Sequence, residues 1–154
     1  MTVCIVDTSV FVELLGLPGF DGDHDFRLAE FEERVRAREK FLLALPVVLE
    51  TGNHVAQIPD RDRRRWAEKF VDFIRPALEG NSPFVATEAP TIEQVKMWTA
   101  DFPAYAMRRV GLVDRSLIEL FERERVRLRN TRRIYIWSLD EALMGYDTGA
   151  TVPA

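Results

Sequence analysis

Cysteine is nearly absent. The one cysteine, Cys4, rules out a disulfide framework and a cysteine-based zinc site. It sits in the apolar run Val3-Cys4-Ile5-Val6 and reads as a buried, reduced thiol, as in a cytosolic protein. Long apolar runs are missing too, and none approaches the ~20 residues a membrane span needs. The first residues carry no basic stretch followed by an apolar segment and a small-residue cleavage site. No signal peptide is read, no membrane partner is expected, and the expected location is the cytoplasm. There is no Walker loop, no Gly-x-Ser-x-Gly elbow and no dinucleotide fingerprint, which removes three large enzyme classes. Internal repeats, low-complexity tracts and interdomain linkers are also lacking.

What is present suits one folded unit. The 154 residues are 47% hydrophobic and 30% charged, enough for a core without staples, and a single domain over residues 1–154 is expected. The net charge of −4 speaks against a general nucleic-acid coat, but the charge is unevenly spread. Residues 1–33 hold eight acids against Arg27 alone, while residues 108–133 hold nine arginines against four acids. An acidic site beside a basic surface suits an enzyme that binds a polyanion and cuts it with metal. A solvated Arg/Glu helix face is the equally open alternative.

The apolar pattern alternates strand and helix. Val3–Val6 reads as a strand buried on both faces, followed by a strand-to-helix turn at Asp7-Thr8-Ser9. A loop over 16–25 leads to a charged helix over 26–40, with Phe26, Leu28, Phe31 and Val35 as its buried stripe. A second strand is read at 41–45, and Pro46 suits the first turn of the next helix, which ends before Pro59. Asp60 is expected to cap a helix running to about Leu78. A third strand is expected near 84–87, a helix over 91–110 interrupted at Pro103, a further helix over 113–129, a fourth strand at 134–137 and a last short helix after Ser138-Leu139-Asp140. This order predicts a three-layer α/β/α sandwich with a mostly parallel sheet of four or five strands and right-handed crossovers. No closing strand is evident after Asp140, unless 150–152 pairs weakly.

In such a sheet, ligands bind beyond the C-terminal strand ends where the strand order reverses. Asp7 follows the first strand and Asp140 lies just past the fourth. Glu50 lies early in the helix after the second strand, and Asp114 begins the helix leading to the fourth. Each has a plainer alternative. Asp7, Asp114 and Asp140 can act as helix caps, although Thr8, Ser9 and Ser138 are equally suited to that task at two of the three ends. Glu50 can be an ordinary surface acid. Four carboxylates in one pocket would repel each other and take up protons unless a cation offset them. Mg²⁺ and Mn²⁺ prefer oxygen ligands of this kind.

The same residues carry a family resemblance. Val3-Cys4-Ile5-Val6-Asp7-Thr8-Ser9-Val10-Phe11 resembles the opening of a PIN domain. Leu45-Pro46-Val47-Val48-Leu49-Glu50 resembles its second motif. Gly111-Leu112-Val113-Asp114-Arg115-Ser116-Leu117-Ile118 resembles the third, and Ile134-Tyr135-Ile136-Trp137-Ser138-Leu139-Asp140 the fourth. The resemblance covers nearly the whole chain. It implies an endoribonuclease dependent on Mg²⁺ or Mn²⁺, similar to the toxin subunits of bacterial toxin–antitoxin pairs. It further implies an RNA substrate, a homodimer, and an antitoxin protein that covers or enters the acidic pocket. Asp7, Glu50, Asp114 and Asp140 would hold metal, directly or through water, with Thr8, Ser9 and Ser138 orienting them or the attacking water.

Other candidates are weaker. Glu50 and His54 stand four apart on one helix face, a spacing that can clamp metal. A hydrogen-bonding surface histidine is the commoner case. Asp21, Asp23, Asp25 and Glu32 have a calcium-loop spacing, but Phe26 occupies the position that needs glycine. Arg61, Arg64, Arg123 and Arg127 are candidates for phosphate contact. Trp66, Trp98 and Trp137 read as core. Two rival functions stay open: a PIN-like RNA- or protein-binding scaffold without activity, and a nuclease acting on DNA in a defence or repair assembly.

Overall fold

Val3–Val6 forms the strand β1, and every residue of it is buried. The computed structural model describes residues 2–129 and 132–149. β1 pairs in parallel with β2 (Lys40–Leu43) on one side and with β4 (Ile134–Trp137) on the other, while β3 (Phe84–Ala86) pairs in parallel with β2. The sheet order is β3-β2-β1-β4. All four strands run parallel, as expected for strands read as near-continuous apolar runs.

The helices follow the strands in the expected alternation. α1 (Thr8–Leu15) and α2 (His24–Arg36) join β1 to β2, and α3 (Leu45–Ala56) and α4 (Asp60–Leu78) join β2 to β3. α5 (Ile92–Met107) and α6 (Leu112–Arg127) return from β3 to β4, and α7 (Glu141–Met144) follows. The first two connections step one way along the sheet and the third steps back past β1. Right-handed crossovers then put α1–α4 on one face and α5–α6 on the other, giving a three-layer α/β/α sandwich. Packing agrees: α1 meets α2 and α3, α3 meets α4, and α5 meets α6.

The core is built on aromatic packing under the α1–α4 layer. The Phe84 ring meets Phe11, Phe31, Phe41 and Phe73 at centroid distances of 5.9, 5.2, 5.5 and 5.5 Å. Phe84→Ala would open a cavity at this junction and cost about 3–5 kcal/mol. Cys4 is fully buried, as expected, and burial pushes its thiol up to about 12, so it stays protonated.

Several local expectations are corrected. Of the stripe expected on α2, Leu28 and Phe31 pack against the core, but Phe26 and Val35 are exposed and the most buried residue is Arg27. Arg27 is drawn in by Glu13 of α1, at 2.7 Å, and by Glu30. α2 ends at Arg36, and β2 starts one residue early, at Lys40. Pro59, not Asp60, holds the N-cap position of α4. Pro103 lies inside an unbroken α5, whose start is fixed by a capping box between Thr91 and Gln94. No fifth strand forms among the described residues, but Asp147 makes an antiparallel bridge to Tyr135 on the outer edge of β4. The backbone bonds Ile136 N–H to Tyr146 O and Thr148 N–H to Ile134 O extend that pairing, each at 2.9 Å. The pairing considered at 150–152 lies outside the described residues. Among the described residues no helix is long and apolar enough to cross a membrane.

Candidate functional site

The strand order reverses between β1 and β4, the place where open α/β sheets bind ligands. Val6 is in register with Trp137, so the residues that follow, Asp7 and Ser138, emerge side by side. The Asp7 N–H donates to Trp137 O at 3.0 Å and continues the ladder by one bond.

Asp7 is 4% exposed. It occupies the N-cap position of α1, yet its side chain makes no capping bond. Its carboxylate instead accepts hydroxyl bonds from Ser9 at 2.6 Å and Ser138 at 2.7 Å, both on Oδ2. The serines are fixed in turn: Leu139 N–H donates to Ser9 Oγ at 3.0 Å, and Asp140 N–H to Ser138 Oγ at 2.9 Å. One Asp7 oxygen is therefore tied down from two sides, the first turn of α1 and the residue after β4. Oδ1 accepts no hydrogen bond among the described residues.

Glu50 comes from the second turn of α3, and Asp114 from the first turn of α6; the two helices touch. Burial pushes the Asp114 carboxyl up to about 6, and the Asp7 charge adds to this. Asp140 and Glu50 add further repulsion, while a hydrogen bond from Gly111 N–H, at 3.2 Å, partly relieves it. The Glu50 carboxyl is raised by burial first and by Asp7 second, with His54 pulling the other way. The Thr8 hydroxyl faces Glu50 and eases it slightly. That hydroxyl is buried, and no atom stands in hydrogen-bond geometry to it.

Asp140 is the outlier. It is exposed, and its Oδ1 accepts the Ala142 N–H at 2.9 Å, capping α7. Ser138 was expected to be equally able to cap. It is occupied with Asp7, so the cap falls to Asp140. The Asp140 charge still reaches Asp114.

Asp7, Glu50, Asp114, Asp140, Thr8, Ser9 and Ser138 thus share one strand edge. Among the described residues, no three His, Cys, Asp or Glu side chains gather closely enough to hold an ion in a single shell. The donor set nonetheless fits a hard divalent ion that keeps its waters. It offers carboxylate oxygens in excess, no lysine or arginine among the charges acting on Asp114 or Glu50, and an orphaned hydroxyl.

The arginines are arranged differently. Arg64 pairs with Glu68, Arg123 with Glu119 and Arg127 with Glu124, each within one helical turn. Arg61 forms no ion pair among the described residues. Arg115 of the same basic segment is buried and bidentate to Asp101, at 2.8 and 3.0 Å. Sequence reasoning passed over Phe20, whose ring stands 5.0 Å from that of His54. A lone aromatic in a Gly/Asp loop was the available signal.

Comparison with protein-family models, with curated proteins and with solved structures gives no match for this chain.

Proposed function

We propose that this chain is a Mg²⁺- or Mn²⁺-dependent endoribonuclease of the PIN type, with Asp7, Glu50 and Asp114 holding the ion in part through its waters and Asp140 contributing at longer range. The observation that carries the reading is the repulsion that Asp7 exerts on half-buried Glu50 and Asp114 at one end of the sheet, where no lysine or arginine offsets it and only His54 eases Glu50. A structural acid pair would be matched by arginine or lysine, as Glu13 and Glu30 are by Arg27. Such an ion supplies Lewis-acid activation of water and stabilises charge on phosphate oxygens.

The chain's own groups do the rest. Ser9 and Ser138 fix Asp7 Oδ2 so that Oδ1 keeps one direction. The buried Thr8 hydroxyl faces Glu50 and would help to orient it or a water beside it. Asp114, raised to about 6, is ionised at neutral pH but holds a proton more readily than an ordinary aspartate.

The test is cleavage of a mixed RNA with Mn²⁺ or Mg²⁺, with Asp7→Asn and EDTA as controls and matched DNA strands alongside. Metal-dependent cleavage of RNA, absent in Asp7→Asn, is expected. Preferential cleavage of DNA would move the reading to a DNA nuclease, and equal activity of Asp7→Asn would overturn the site.

A second reading, a partner-binding role, is favoured by one observation. Each of three acids follows or lies close to an exposed apolar residue: Leu49 before Glu50, Leu112 ahead of Asp114 and Leu139 before Asp140. Such residues suit a protein that covers the acidic edge, of the antitoxin kind in the first reading or a scaffold partner in the second. A Mn²⁺-dependent rise in melting temperature separates them, since a bare scaffold would show none.

A further inference from the structure

Two rings beside the acidic edge take no part in the core. Phe20 belongs to neither apolar cluster and is 37% exposed. A turn bond from its N–H to Leu17 O, at 2.8 Å, fixes its backbone. The preceding Gly19 has φ +85°, a conformation that only glycine adopts freely, and this gives the loop its sharp reversal. The Phe20 ring meets the His54 ring edge to face, at 5.0 Å and 68°. His54 lies one helical turn after Glu50, on the same face of α3. Its ring nitrogens make no hydrogen bond among the described residues.

We propose that Phe20 and His54 form a stacking corner that holds one unpaired base of a single-stranded RNA next to the Asp7–Glu50–Asp114 edge. The inference rests on the nuclease reading and names its substrate class. A base can lie on the open face of Phe20 and present its edge to the His54 nitrogens. Aromatic faces hold any base in this way, which suits single strands and excludes a paired duplex. Charge argues for a base over a phosphate. Asp21 and Asp23 are exposed on the Phe20 loop and repel the backbone, so the neutral part of a nucleotide is what the corner accepts. Among the described residues no ring other than His54 pairs with Phe20, and His24 packs against Gly16 at the other end of the loop.

The experiment compares wild type, Phe20→Ala and Phe20→Trp with Mn²⁺ on two substrates: single-stranded RNA, and bis(p-nitrophenyl) phosphate, a diester without bases. The ratio of kcat/KM on RNA to kcat/KM on the diester is expected to fall about tenfold or more in Phe20→Ala and to recover in Phe20→Trp. An unchanged ratio overturns the corner, because loss through folding or chemistry lowers both substrates alike. Binding is read separately with RNA carrying 2-aminopurine at successive positions, in Ca²⁺. One position is expected to be quenched by wild type and Phe20→Trp but not by Phe20→Ala. If wild type hydrolyses neither substrate the nuclease reading falls, and the 2-aminopurine signal still decides the corner.

Discussion

Two groups of acids lie below the surface of this protein, and they are treated in opposite ways. Glu13 and Glu30 converge on Arg27, whose side chain is 9% exposed, and the guanidinium matches them in charge and geometry. Burial works against the Arg27 charge, but the hydrogen bonds to both glutamates overcome it and its pKa is raised. At the edge of β1 and β4, Asp7, Glu50 and Asp114 meet no lysine or arginine, only His54 eases Glu50, and the two carboxyls on helices are raised instead. The first group is closed and serves the fold. The second is left open at a cost in stability, and the proposed metal would offset that charge.

Removing the centre of the open group should have the largest effect. Asp7→Asn is nearly the same size and keeps an acceptor for Ser9 or Ser138. RNA cleavage is expected to fall on the order of a thousandfold or more. In EDTA the same variant should melt no lower than wild type, because one repelling charge is gone. A lower melting point without metal would mean that Asp7 is structural, and the contrast between the groups would fail.

The closed group should respond in the opposite sense. Arg27→Met leaves Glu13 and Glu30 partly buried and unmatched, and a loss of about 3 kcal/mol is expected. For a chain of this size that corresponds to roughly 6–12 °C in melting temperature. Adding Glu13→Gln and Glu30→Gln to Arg27→Met should recover part of the loss. A loss below about 0.5 kcal/mol would show that Arg27 contributes only surface charge.

The two groups differed as much in legibility as in chemistry. Asp7 could be read because it ends an apolar run, and a buried run followed by an acid fixes both the strand and the site edge. The parallel register could not be read, yet it is what sets Ser138 beside Asp7. Arg27 was missed because helical periodicity was counted on apolar residues alone. Of the stripe Phe26, Leu28, Phe31 and Val35, the middle two pack against the core while Phe26 and Val35 are exposed, and a buried arginine is visible only once α1 brings Glu13 to it. The choice between Ser138 and Asp140 as the cap of α7 stays open in the sequence for a similar reason: it depends on the bond from Ser138 to Asp7, across 131 residues of chain.

Acidity offers a finer test of the open group. The Asp114 carboxyl rises from 3.8 to about 6 on folding. The native state therefore binds this proton more tightly than the unfolded chain does. Its contribution to the metal-free protein is full below about pH 4, is lost as pH rises through the window to about 6, and is level above that. Asp114→Asn removes the effect, so in EDTA its urea midpoint should gain on that of wild type between pH 4 and 6. A pH-independent difference would contradict the open group. Mn²⁺ requires the ionised form, so its affinity should rise over the same window. At about a hundred times its dissociation constant it should add about 2.7 kcal/mol to wild type, and much less to Asp114→Asn.

The smallest effects should come from the arginines, where the contrast between matched and unmatched charge recurs at the surface. Arg123 and Arg127 each hold a glutamate within one turn of α6, at 3.1 and 2.6 Å. Exposed pairs of this kind contribute about 0.5 kcal/mol or less each. Arg61, near the start of α4, has no such partner among the described residues, so its charge is free to meet a phosphate. Each phosphate contact shifts the slope of log K against log salt by about one. Arg61→Ala should lower that slope for RNA binding by about one, and Arg123→Ala with Arg127→Ala by clearly less than two. A full shift of two in the double variant would show that the glutamates release their arginines to RNA, and local pairing would then be no guide to which basic residues bind.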